Sequence, residues 1–476
     1  MKGTEKQALL GLRDEERQKK IAVFALLVFF AAYSSLFSFY TSIARATVPI
    51  MDFWRYIYKF GEATIKGEAS LSLFLSDGGE HSQALSLYVI FSILKRHKFD
   101  VQPLVYYGCA VIACQGIVLL AYYFKRNKET QLSWLTVISA LMIVLIVFNY
   151  NAWEMVTEPF SFSAEVRTLF FYILFILTDM LYRRSEKYSG REMILYSATL
   201  GSLYVFIGAF ISGGHSVALL SSYLLASVVC YFDNKKLLGS RAVIPLVFSG
   251  VSIPVTVLIY FMNVSFGGQK VTIAITEAGE YIRGFLIGLG SSVIHQGKDE
   301  RMYFVVGVII ILWTVGVIIC FLGHAEWRRE QLFPFLCLLF GGISVIVICI
   351  GRVGAFNAQY IASSRYTVEK NFGLLGLIWL TSSLGEEVAL SNKTKKAVYC
   401  LISIVLIGTM AYFLIASALE EWRTAPYRGA YYTNLATIMR NIDSYTDEQL
   451  SGFQSSPVYV RGAVKFLAMN HLSIFR

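Results

Sequence analysis

Long apolar runs alternate with short polar knots along most of the chain. Runs at 21–44, 101–124, 132–150, 167–182, 193–212, 216–232, 242–262, 303–322, 331–350, 372–384 and 397–418 each read as a membrane-crossing helix. About 20 residues at 1.5 Å rise per residue cross a hydrocarbon core of about 30 Å. The pattern predicts an all-α, polytopic transmembrane helical bundle of about 11 spans. The first run is too long for the core of a signal peptide and lacks a convincing small-residue cleavage site before more spans follow, so it reads as a retained helix.

Basic residues set an expected direction. Lys2, Lys6, Arg13, Arg17, Lys19 and Lys20 precede the first run. Further clusters follow at Lys125-Arg126 with Lys128, Arg183-Arg184 with Lys187 and Arg191, Lys235-Lys236 with Arg241, Arg328-Arg329, and Lys393 with Lys395-Lys396. These fall in every second loop, which the positive-inside rule assigns to the cytoplasm. The expectation is a multi-pass protein of a bacterial cytoplasmic membrane with its N-terminus inside and its C-terminus outside.

Composition agrees: 56% of residues are hydrophobic and mean hydropathy is +0.56, as a chain solvated largely by lipid requires. The net charge of +10 sits mostly in short loops beside anionic lipid, so it points to the bilayer and not to nucleic acid. All seven cysteines lie inside the apolar runs. No loop has a Cys pair at metal-ligand spacing, which argues against a disulfide framework and a zinc site.

Polarity concentrates on the outward side, in segments 45–100, 149–166, 263–302 and 351–371 and in a tail from 419 to 476. The expected organisation is a bundle over 1–418 with a small extracytoplasmic tail, 419–476, packed on its outer face. Long outer loops on a compact bundle put the work at the outer face. Within 263–302, Glu277, Glu280 and Arg283 share the polar face of an interfacial or re-entrant helix.

The first outer segment carries Asp52 just after the first span, flanked by Phe53, Trp54 and Tyr56. A carboxylate at this boundary suits a general base acting on a sugar hydroxyl, or a cation holder, and equally a helix end facing water. Glu80 and His81 open an amphipathic stretch, 84–94, expected to lie along the membrane surface. Trp153 and Glu154 pair an aromatic face with an acceptor, as a sugar site or an aromatic belt does. Arg352 and Arg365 have guanidinium forks that match phosphate oxygens, or snorkel to lipid headgroups. Tyr366 follows them, and His215 sits at an outer turn between two spans. The soluble segments contain no Walker A loop, GxGxxG, HExxH, GxSxG or Asp-x-Asp motif. A lipid-linked donor is therefore the natural source of substrate and energy.

Three groups of residues together resemble polytopic bacterial membrane glycosyltransferases of the GT-C type. They are Pro49-Ile50-Met51-Asp52-Phe53-Trp54 followed by Glu80-His81, Asn151-Ala152-Trp153-Glu154, and Gly351-Arg352-x-Gly354 leading to Ser363-Ser364-Arg365-Tyr366-Thr367. The resemblance implies inverting transfer of a sugar from a polyprenyl-phosphate donor to a cell-envelope glycan. Asp52 would be the catalytic base, and Arg352, Arg365 and His215 would bind the donor phosphate. Glu80, His81, Trp153, Glu154 and Tyr366 would bind sugar or acceptor. Many such enzymes carry a second acid where this chain has Phe53-Trp54-Arg55. That favours a single general base over a metal pair, and leaves a divalent cation (Mg or Mn) as an open cofactor. Two rival readings are a polysaccharide polymerase or ligase using a lipid-diphosphate donor, and a flippase. A flippase would be expected to show broken or charged mid-membrane helices and an internal repeat.

Overall fold

A computed structural model describes residues 2–77, 83–126, 134–263, 277–389 and 393–476. The described residues are helical, with no strand among them. The chain opens with α1 (Lys2–Ala44), α2 (Asp52–Lys66), α3 (Leu71–Asp77), α4 (Ala84–Arg96), α5 (Gln102–Arg126) and α6 (Trp134–Val147). It continues through α7 (Trp153–Thr157), α8 (Ser161–Arg183), α9 (Gly190–Phe210), α10 (Ser216–Leu238), α11 (Val243–Asn263) and α12 (Ala278–Gly290). The last third comprises α13 (Glu300–Gly323), α14 (Ala325–Glu330), α15 (Leu332–Arg352), α16 (Thr367–Ala389), α17 (Lys393–Arg440) and α18 (Pro457–Met469).

Each apolar run read from the sequence falls on one of these helices. Eight helical stretches among the described residues are long and apolar enough to cross a membrane, one of them (213–260) comprising α10 and α11 together. The helices α8 and α16 are equally long but carry Glu165, Arg167 and Asp179, and Glu369 and Lys370, respectively. Those charges mark the helices that build the polar interior. The protein is thus an all-α polytopic bundle whose apolar surface fits a bilayer. Only 11% of the α1 apolar window is buried in protein, against 67% for α15, so α1 lies at the rim and α15 at the centre. At the centre, a Cβ on Gly341 of α15 would collide with the Gly373 backbone of α16. Small residues let these two backbones touch, as membrane helix pairs require.

A second apolar core lies at the end of the bundle where α1 stops and α5 starts. Phe53, Trp54, Tyr56, Ile57 and Phe60 of α2 pack with Leu87, Ile90, Phe91 and Leu94 of α4, with Val460, Ala463 and Leu467 of α18, and with Tyr432, Leu435 and Met439 of α17. The stretch 84–94, expected to float on the membrane surface, instead buries its apolar face in this core. Burial against another amphipathic helix satisfies the same face that lipid would.

α17 is one 48-residue helix, about 72 Å long at 1.5 Å per residue. The first part of the tail beyond 418 is therefore a rigid continuation of the last span. Pro426 lies within it, where its missing N–H favours a bend. At Gly429 a Cβ would meet the Ile43 carbonyl at the end of α1, so glycine allows α17 to dock there. In α12, Arg283 pairs with Glu280 at 3.1 Å and also with Glu300. Beyond that pair, α12 runs into the protein and buries Gly284, Ile287 and Gly288.

Candidate functional site

The end of the bundle where α1 stops holds a polar layer beneath the second core, and the chain after α1 runs along it. The Ala46 N–H donates to Thr157 O at 2.7 Å, Thr47 Oγ1 to Tyr432 O at 3.4 Å, and the Met51 N–H to Phe453 O at 2.9 Å. This strap delivers Asp52 as the first residue of α2, with an exposed side chain. Met51 holds φ 52°, ψ −132°, a conformation that costs a non-glycine residue on the order of 1–3 kcal/mol. Strain of this kind is kept where the surroundings dictate a geometry, and here it fixes the residue before the candidate base.

A cavity of about 320 Å³ opens beside the strap, lined by Trp153, Glu158, Thr424, Arg428, Tyr431 and Gln454, among others. Gln454 directly follows Phe453, the strap's partner, so the strap and the cavity wall share the segment 453–454. Glu158 is 1% exposed. Its Oε1 accepts from the Tyr432 hydroxyl at 3.2 Å, and its Oε2 is buried without a hydrogen-bond partner. Burial first, then the neighbouring Glu154 carboxylate, hold the Glu158 carboxyl well above the usual carboxylate range.

Arg428 crosses the cavity wall. Its guanidinium carbon lies 3.3 Å from the Trp153 ring centroid, and its Nε and Nη2 reach Glu421 at 3.0 and 2.6 Å. Glu421 is fully buried and also accepts from the Tyr40 hydroxyl at 3.0 Å, while His295 Nε2 lies 2.6 Å away. The Trp153 Nε1–H donates to Gln296 Oε1 at 3.0 Å. The Trp153 ring, expected as a stacking face for sugar, therefore has its own arginine over it, which leaves stacking to other aromatics of the cavity.

The remaining sequence candidates gather around residues 363–370. The Glu154 carboxylate accepts from Ser363 Oγ at 3.2 Å, from Ser364 Oγ, from the Arg365 N–H at 3.0 Å and from Arg365 Nη2 at 3.1 Å. Expected to meet sugar, it is occupied as a clamp on this loop. Arg352 reaches the Tyr366 hydroxyl, so Arg352 and Arg365 flank one tyrosine, with Arg365 also paired to Glu154. His215 Nε2 lies 3.2 Å from Glu369 Oε1, which Arg167 also contacts. His215 thus reaches the same segment one turn further on, already paired with a carboxylate. Beside it, buried Lys370 donates to Ser291 Oγ at 2.8 Å and Ile361 O at 2.6 Å. Glu80 and His81 lie outside the described residues.

Sequence reading missed Glu158, Glu421, Arg428 and Tyr431. The signal for two of them was present: Glu421 and Arg428 are seven apart, two turns on one helical face. It was hidden because the apolar run ends at 418 and the continuation looked like a tail. No group of three or more His, Cys, Asp or Glu side chains stands together to hold a metal ion among the described residues.

Fold and site define a multi-pass helical membrane protein with a polar, aromatic-walled site at one end of its bundle. Neither a protein-family model nor a curated protein matches the chain.

Proposed function

We propose that the protein is a membrane glycosyltransferase of the GT-C type, which moves a sugar from a polyprenyl-phosphate donor to a cell-envelope glycan. The setting is the outer face of a bacterial cytoplasmic membrane, with the N-terminus inside and the C-terminus outside. The reading is supported by the strap that presents Asp52 as the exposed first residue of α2 and bonds through Met51 to Phe453, the neighbour of the cavity-lining Gln454, while Arg352 and Arg365 flank Tyr366 at the same end of the bundle.

In the reaction, Asp52 takes the proton of an acceptor hydroxyl. The hydroxyl oxygen attacks the anomeric carbon of the donor sugar, and the bond from that carbon to the phosphate oxygen breaks. The electron pair leaves on polyprenyl phosphate, whose growing charge is met by Arg352 and Arg365. Phosphate is a good leaving group, so no acid is needed at that oxygen. The proton on Asp52 then passes to water.

The test is glycan mass spectrometry on cells carrying the wild type, a deletion, or Asp52→Asn. Support requires that both altered strains lack one sugar substituent and accumulate the polyprenyl-phosphate sugar. Full transfer by Asp52→Asn would remove the general base. Accumulation of lipid-diphosphate repeat units would point to polymerisation instead.

A further inference from the structure

The cavity wall restricts what can enter. Its volume of about 320 Å³ lies at the lower edge of the range of about 300–1,000 Å³ that small-molecule sites occupy. Among the described residues that line it, the one cation is Arg428, whose fork is already held by Glu421. A phosphate or carboxylate ligand would find no free positive partner on this wall. An acyl chain would find an acid, a guanidinium, an amide and a threonine among the rings, and each would lose its water to no purpose.

The combination of Trp153, Tyr427, Tyr431 and Tyr432 with Glu158, Thr424 and Gln454 suits a neutral body with apolar faces and a rim of hydroxyls. Tyr427 is 76% exposed, and Gln454 is exposed as well. The cavity thus opens toward the polar end of the molecule and not between lipid-facing helices.

We propose that this cavity binds one sugar ring of the acceptor, between the aromatic side chains of α17 and the Glu158–Gln454 wall. Its assignment to the acceptor rests on the transferase reading, whereas the binding itself does not. Tyr427 supplies the open aromatic face, because Trp153 is covered by Arg428. The high proton affinity of Glu158 is consistent with a neutral site, in which a carboxyl group can both donate to and accept from sugar hydroxyls.

The experiment is saturation-transfer NMR on the full-length protein in lipid nanodiscs free of polyprenyl phosphate. The probes are methyl glycosides of glucose, galactose, mannose and N-acetylglucosamine, each titrated to about 20 mM, which detects affinities as weak as millimolar. At least one glycoside is expected to receive saturation. Tyr427→Ala should weaken its binding about 3- to 10-fold, the scale of one lost aromatic contact. Tyr412→Ala, on the same helix but 67% exposed and away from the cavity, should leave it unchanged. The Tyr427 side chain makes no hydrogen bond among the described residues, so its loss should leave folding intact, which an unchanged melting temperature verifies. Absence of transfer to every glycoside, or binding that survives Tyr427→Ala unchanged, overturns the proposal. No donor is present, so a failure of the transferase reading leaves this assay untouched. Conversely, an empty cavity leaves the Asp52→Asn test standing.

Discussion

Arg428 lies face-on over Trp153, 3.3 Å from the ring centroid, while its fork holds buried Glu421. One side chain thereby ties the last long helix to α7 and neutralises the fully buried acid Glu421. Arg428→Ala would leave Glu421 with only Tyr40 and His295. Breaking such a buried pair costs about 3 kcal/mol, so a melting temperature several degrees lower is expected in detergent. Arg428→Lys keeps the charge but loses the planar fork and the stacking. It is expected to fall between the wild type and the alanine variant, and thermal unfolding followed by intrinsic fluorescence measures both.

The Glu154 clamp makes a graded test. Glu154→Gln keeps size and one acceptor but gives up the charge-assisted bonds to Ser364 and Arg365, worth about 1.5–3 kcal/mol each in net terms. Glu154→Ala removes every bond to 363–365. Loosening of this loop is expected in the order wild type, glutamine, alanine, read as rising hydrogen exchange in peptides covering 358–370.

Glu158 makes stability depend on pH. Its carboxyl group binds a proton more tightly folded than unfolded, so its contribution is fully present below the ordinary glutamate range. That contribution is lost as pH rises toward the elevated folded value. Wild-type melting temperature is therefore expected to decline over that rise. Glu158→Gln cannot ionise and should flatten this part of the profile and match or exceed the wild type at neutral pH. A steeper decline in the variant would contradict the assignment.

Helix packing at the centre gives a paired test. Gly341→Ala sets a methyl group against the Gly373 backbone, whereas a Cβ at Gly342 has nothing within 4 Å. Backbone cannot move aside as a side chain can, so overpacking here is expected to cost at least about 1–3 kcal/mol. Gly342→Ala should be neutral or slightly stabilising through helix propensity. Yields and melting temperatures of the two variants side by side decide the matter.

The helices were legible because lipid forces every backbone group to pair within its own segment, so length and apolarity alone mark each span. Where α17 passes from apolar to polar at 419, hydropathy signals an end of membrane, not an end of helix. The reading therefore cut a continuous helix in two. The stretch 84–94 shows the same limit: an amphipathic face demands an apolar partner, but its sequence does not say whether lipid or α2 supplies it.

The candidate site divides along similar lines. Asp52, Trp153, Glu154, Arg352, Arg365 and His215 stood out because each breaks a greasy pattern near a span end, which is a local property. Their partners are remote in sequence: Ser364 and Arg365 for Glu154, Glu369 for His215, and Glu421 and Arg428 around Trp153. An all-α chain with long apolar helices and polar chemistry at their ends follows from local properties alone, because hydrophobic length and charge act locally. Packing between distant segments set the rest: the strap after α1 runs past Thr157, Tyr432 and Phe453, Glu154 serves as a clamp, and a cavity forms against Glu158. Those outcomes depend on which helices pack together, and side-chain shape and glycine contact fix that only once the bundle is assembled.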